Sequence, residues 1–138
     1  MIKVLEREML STLAKFYEVK LEITKKNPMK LHGWYDLRNN TIYIPETLKC
    51  DTSQYLSVFF HEAGHHHCVK NGLWKNYHNP SVKLSIRKKT ALKAERWVDK
   101  WAEKQFYSFF PKEYFHFYAS YKEKEQIAKF KAWFSKLF

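Results

Sequence analysis

The segment His61-Glu62-Ala63-Gly64-His65 carries two imidazoles four positions apart, with a carboxylate directly after the first. On a helix, four residues turn the chain through about 400°, so both rings project from one face, one turn apart. Two such rings can bind a single metal ion, at ~2.0–2.1 Å from each nitrogen if the metal is zinc. Glu62 falls ~100° around the helix, beside that metal but badly placed to ligate it. The chemistry left to it is general-base catalysis, in which it takes a proton from water that zinc has acidified and arms that water against a carbonyl.

A catalytic zinc needs a third protein ligand and one position left open. Glu95 supplies a candidate. On a helical wheel centred on it, Ala91, Val98, Ala102, Phe106 and Phe109 lie within about 60°, and Asp99 about 40° away. Two carboxylates thus share a stripe made otherwise of alanine, valine and phenylalanine. Burying a carboxylate is costly unless its charge is compensated. A metal would compensate Glu95, and a histidine N–H would compensate Asp99 while fixing that ring's tautomer. The alternative is that both acids sit at the edge of the stripe and pair with Lys88, Arg96 or Lys100.

These residues need elements to hold them. The run from Thr52 to Asn71 reads as a helix, with Asp51 as N-cap and Asn71-Gly72 as its stop. Its opposite face carries Leu56, Phe59 and Ala63, a core side distinct from the histidine side. A long helix is expected over residues 86–110, ended by Pro111, with residues 73–85 before it as a loop. Upstream, residues 2–17 read as an amphipathic helix with Ile2, Leu5, Met9, Leu13 and Phe16 at helical spacing. Residues 19–24 alternate like a strand. Residues 31–37 and 41–45 read as two strands joined through Asn39-Asn40. A last amphipathic helix is expected over residues 121–138. The layout predicts one α+β domain over residues 1–138, with a small antiparallel sheet.

With these pieces in place the sequence resembles the ImmA/IrrE family of metallopeptidases, zincins whose third ligand is a glutamate. The matching parts are Thr41-Ile-Tyr-Ile-Pro45, His61-Glu-Ala-Gly-His65 and Ala94-Glu-Arg-Trp-Val-Asp-Lys-Trp-Ala102, within residues 30–110. The resemblance implies a zincin-like fold and Zn²⁺ held by His61, His65 and Glu95. It further implies Glu62 as catalytic base and Asp99 as the partner of His61. It implies a protein or peptide substrate too, since members are known for cutting DNA-binding repressors, often in phages and mobile elements. The chain departs from the pattern at Ala63, where Leu is usual, at Val98, where alanine is frequent, and in its aromatic, basic C-terminal third.

Other histidines and tyrosines compete for roles. His66 and His67 point ~100° and ~200° away from His65 and cannot share its metal. His78 is an alternative third ligand, in the manner of SprT-like proteases, but lacks the glycines that accompany that motif. A developing oxyanion also needs a donor. His116 and Tyr118, in the cluster after Pro111, are the candidates; the competing reading is a tyrosine-rich packing surface. Trp97 and Trp101 lie on the back of the Glu95 helix, where the C-terminal helix could dock.

Composition narrows the setting. Of 138 residues, 45% are hydrophobic and 18% aromatic, which argues against disorder. The net charge of +11 invites nucleic acid or an acidic partner, but no nucleic-acid motif accompanies it. A non-catalytic binding module using this basic surface is therefore the rival to a peptidase. No stretch approaches the ~20 apolar residues of a membrane helix, and no signal core follows the charged N-terminus. Cys50 and Cys68 form neither a disulfide framework nor a C-x-x-C pair. The expectation is a cytoplasmic protein.

Overall fold

The computed structural model describes residues 2–27, 31–48 and 50–120. Among these are four helices and a three-stranded sheet, an α+β arrangement: α1 (Val4–Phe16), β1 (Lys20–Thr24), β2 (Trp34–Asp36), β3 (Thr41–Pro45), α2 (Thr52–Asn71), α3 (Lys75–His78) and α4 (Leu84–Phe109). The helix expected over residues 121–138 lies outside the described residues.

The ends of α2 follow from local chemistry. The Asp51 carboxylate accepts from the Gln54 N–H at 2.8 Å, and the Gln54 side chain accepts from the Asp51 N–H at 2.7 Å. This reciprocal pair satisfies two donors that an α-helix start leaves open. Gly72 then takes a left-handed conformation (φ 65) and ends the helix.

The sheet is mixed, not antiparallel as expected. Its order is β1-β3-β2, with β3 antiparallel to β2 but parallel to β1. A parallel pair cannot be closed by a tight turn. Here the connection is the whole of residues 25–40, which includes β2. The β2–β3 turn uses Asn40 at φ 51, where asparagine tolerates the left-handed region. β3 is central and so paired along both edges, and Ile42 and Ile44, which share one face, are fully buried.

Two further expectations are corrected. The buried face of α1 runs through Glu6, Leu10, Leu13 and Ala14, while Leu5 and Phe16 are 67% and 65% exposed. Glu6 explains the rotation. It accepts from the Lys3 N–H at 2.8 Å and from the Thr52 hydroxyl at 2.6 Å, tying the start of α1 to the start of α2. In addition, residues 73–85 are not all loop, since α3 forms within them after Trp74 takes a left-handed conformation (φ 52).

The core gathers around α2. Leu56, Phe59 and Ala63 face it as expected, together with Leu10, Ile42, Phe60 and Phe106. The histidine side of α2 is buried as well, for α4 packs along it. At the crossing, a Cβ on Gly64 would stand 2.7 Å from Val98 Cγ1, so glycine makes room for the Val98 side chain against α2.

Candidate metal centre

This crossing sets His61 and His65 of α2 against Glu95 of α4. All three are buried, and one donor atom from each lies within 4.8 Å of the others. His61 Nε2 is 3.2 Å from His65 Nε2 and 3.0 Å from Glu95 Oε2, and His65 Nε2 is 3.4 Å from Glu95 Oε1. A tetrahedral zinc with bonds of ~2.0–2.1 Å separates its donor atoms by about 3.3–3.4 Å. The two histidines meet different oxygens of Glu95, and all three separations lie near this spacing, so the group could hold one ion. Both acids of the α4 stripe are buried here, which removes the reading in which they pair with lysines at its edge.

The partners behind the ligands fix which atoms face inward. His61 Nδ1 lies 2.8 Å from Asp99 Oδ1, so its N–H donates outward to that carboxylate. In the neutral ring Nε2 is then a bare lone pair. His78 Nδ1 is 3.1 Å from the Trp74 carbonyl, which only accepts, so His78 carries its proton on Nδ1. Its Nε2 is 2.9 Å from His65 Nδ1 and accepts from it, which leaves His65 Nε2 bare as well. The Tyr77 hydroxyl donates to Glu95 Oε1 at 2.5 Å. Glu95 Oε2 is buried and has no geometric hydrogen-bond partner, with His61 Nε2 3.0 Å away. With both rings neutral, two lone pairs and an unsatisfied carboxylate oxygen thus converge. A cation satisfies all three.

The electrostatics agree. Burial alone would raise the Glu95 carboxyl, but His65 and His61 outweigh it and hold the group well below the usual carboxylate range. Burial alone would lower His61, but the Asp99 hydrogen bond and Glu95 beside it raise it to about 10. Without a metal the cation in this site is a proton on His61. Burial lowers His78, and so keeps it neutral.

One side of the centre opens on a cavity of about 140 Å³, lined by His32, Ser57, His61, Glu62, Tyr118 and Ser120 among others. Glu62 is thus at the cavity wall next to His61. The segment after α4 forms the other wall. It runs back along α2, with the N–H of His116 donating to Ser53 Oγ at 3.2 Å and that of Tyr118 to Ser57 Oγ at 3.0 Å. The Ser120 N–H then reaches Asp99 at 3.2 and 3.3 Å. Cys50 also lines the cavity, but burial pushes its thiol up to about 11, so it offers no thiolate at neutral pH.

No family model, curated protein or solved structure matches this chain.

The expected site residues divide as follows. His61, His65 and Glu95 come together, Asp99 backs His61, and Glu62 lies beside them. Tyr118 lines the cavity, whereas His116 is exposed and does not; its ring meets that of Tyr118 edge to face at 4.5 Å. His78 stands behind His65 rather than among the grouped donors. His66 has a core role, donating from Nε2 to the Tyr17 carbonyl at 3.0 Å. His67 stacks on Trp101 and Trp97, so these tryptophans receive α2 on the back of α4. Sequence reasoning missed Tyr77, His32 and the backbone of Ser120. The first two carry no spacing signal relative to the motif, and a backbone donor carries none at all.

Proposed function

We propose that this chain is a zinc-dependent metallohydrolase with a zincin-like fold, acting as a metalloendopeptidase on a protein substrate. The observation that carries the reading is the convergence of two bare Nε2 atoms and the orphaned Glu95 Oε2, with Glu62 on the adjoining cavity wall. Zinc, when bound, supplies Lewis acidity, which polarises a carbonyl and makes water a better acid. His61, His65 and Glu95 hold it. Asp99 keeps the His61 proton on Nδ1. Glu62 accepts a proton at its carboxylate and returns it to the leaving amine. Tyr118, which lines the cavity, donates to a developing oxyanion in this reading. A substrate of the DNA-binding repressor type follows from the ImmA/IrrE resemblance alone.

The deciding experiment is elemental analysis of purified wild type beside His61→Ala and Glu95→Ala. The reading expects about one zinc per wild-type chain, lost or weakened in both variants. No metal in the wild type, and no uptake from added zinc, overturns it.

A second reading has one observation in its favour. Lys89, Lys93, Arg96, Lys100 and Lys104 are all exposed and fall within about 80° on α4, roughly 140° from Glu95. A binding module would use this stripe for nucleic acid or an acidic protein. Its binding would weaken steeply with salt and ignore Glu62→Gln. No helix among the described residues is long and apolar enough to cross a membrane.

A further inference from the structure

The two residues that complete the surroundings of the ligands are neighbours in the chain. Tyr77 and His78 both belong to α3, a four-residue helix packed against α4. One touches Glu95 and the other touches His65, 2.5 Å and 2.9 Å away. Their targets come from different helices, α4 and α2. A single short turn therefore reaches two of the three grouped side chains at once.

Each contact selects a particular atom. An imidazole can bind a metal only through a nitrogen that carries no proton. His65 has two candidates, and with His61 Nε2 bare, its one ring contact within α2 leaves either nitrogen able to carry the proton. His78 makes the choice: its Nδ1 is committed to the Trp74 carbonyl, so its Nε2 must accept, and His65 must place its proton on Nδ1. Glu95 likewise has two oxygens. The Tyr77 hydroxyl occupies Oε1, leaving Oε2 as the one without a hydrogen bond, beside His61 Nε2. Asp99 performs the same service for His61. The three grouped residues are thus each oriented by a different outer partner, two of them supplied by α3.

We propose that Tyr77 and His78 are positioning residues of the metal centre, His78 by locking the His65 tautomer and Tyr77 by holding Glu95 through Oε1, so that Oε2 is left without a hydrogen bond beside His61. This rests on the metal-centre reading above. The dyad makes α3 part of the site, so a segment that looks like a connecting loop in the sequence is what pre-organises the ligands. Partners of this kind set metal affinity through ligand orientation and basicity.

The test uses the whole 138-residue chain and compares wild type with His78→Phe, His78→Gln and Tyr77→Phe. Zinc affinity is read by chelator competition, and the cobalt(II)-substituted protein by its visible absorption spectrum. His78→Phe is expected to weaken zinc by about 10- to 100-fold, and Tyr77→Phe to weaken it within the same range while shifting the cobalt bands. His78→Gln keeps an acceptor near the position of Nε2 and is expected to recover most of the loss. A merely structural role would not be rescued this way, and far-UV circular dichroism separates unfolding from ligand misorientation. Wild-type affinity and unchanged cobalt spectra in His78→Phe and Tyr77→Phe overturn the proposal while leaving the metal centre standing. A wild type that takes up no metal overturns both.

Discussion

Gly64 of α2 faces Val98 of α4 so closely that an added Cβ would lie 2.7 Å from Val98 Cγ1 and 3.3 Å from Trp101 Cε3. Gly64 directly precedes His65, and Val98 lies between Glu95 and Asp99, so this contact sets the distance between the two halves of the metal centre. Gly64→Ala is expected to cost about 1–3 kcal/mol, the usual range for overpacking a tight core. It is also expected to weaken zinc, because the ligands are pushed apart. Val98→Ala in the same chain should relieve part of both losses, as the offending atom is then gone. Denaturant melts and chelator titrations of the two single variants and the double variant measure this, and strict additivity would argue against the contact.

Glu62 is buried on the cavity wall beside His61 and is not among the grouped donor atoms. Glu62→Gln should therefore retain about one zinc per chain while peptide cleavage falls by about 100- to 10,000-fold. Hydrolysis at the wild-type rate in that variant would remove Glu62 as the base.

The protonation of the centre predicts opposite pH trends with and without metal. His61 is raised from an ordinary value near 6.5 to about 10, so its contribution to stability is full below pH 6.5 and is lost as pH rises toward 10. Glu95 is held below its ordinary 4.5, so its contribution is present above pH 4.5 and is lost as the pH falls from there. Metal-free protein should be most stable between these two ordinary values. Zinc must displace the His61 proton, so its binding tightens with pH. Thermal melts in chelator and in excess zinc should show a Tm gap that widens from pH 6 to pH 8, whereas a constant gap would contradict the shared site.

Asp99 accepts from His61 Nδ1 and from the Ser120 N–H. Asp99→Ala is expected to weaken zinc by about 10- to 100-fold, and Asp99→Asn less, since an amide oxygen still accepts from the ring. Equal affinity across all three proteins, read by competition with a zinc chelator, would mean that His61 needs no partner.

Tyr118 and His116 are separated by their placement. Tyr118 lines the cavity, so Tyr118→Phe should lower kcat with zinc content unchanged. His116 is exposed and outside that lining, so His116→Ala should leave kcat near wild type. The reverse pattern in steady-state kinetics would exchange their roles.

The sequence alone determined everything that depends on short range along the chain. The four-residue step from His61 to His65 puts both rings on one helical face wherever that helix lies, and Asp51 and Gly72 bound it through their own capping chemistry. The two acids in an apolar stripe were legible for the same reason, as burial of a charge without compensation is costly. Tertiary structure decided the rest. Periodicity cannot say which side a strand joins, so the parallel β1–β3 pairing appeared only in the fold. Nor could it show that Glu6 would outcompete Leu5 and Phe16 for the inside of α1, because the hydrogen bond that compensates Glu6 comes from Thr52, 46 residues away. The same holds around the metal centre, where Tyr77 meets Glu95 across 18 residues, His78 meets His65 across 13 and Ser120 meets Asp99 across 21. Those pairings exist because α2 and α4 cross at a glycine and the chain on either side of α4 folds back over the crossing, and no local pattern encodes where a returning chain will land.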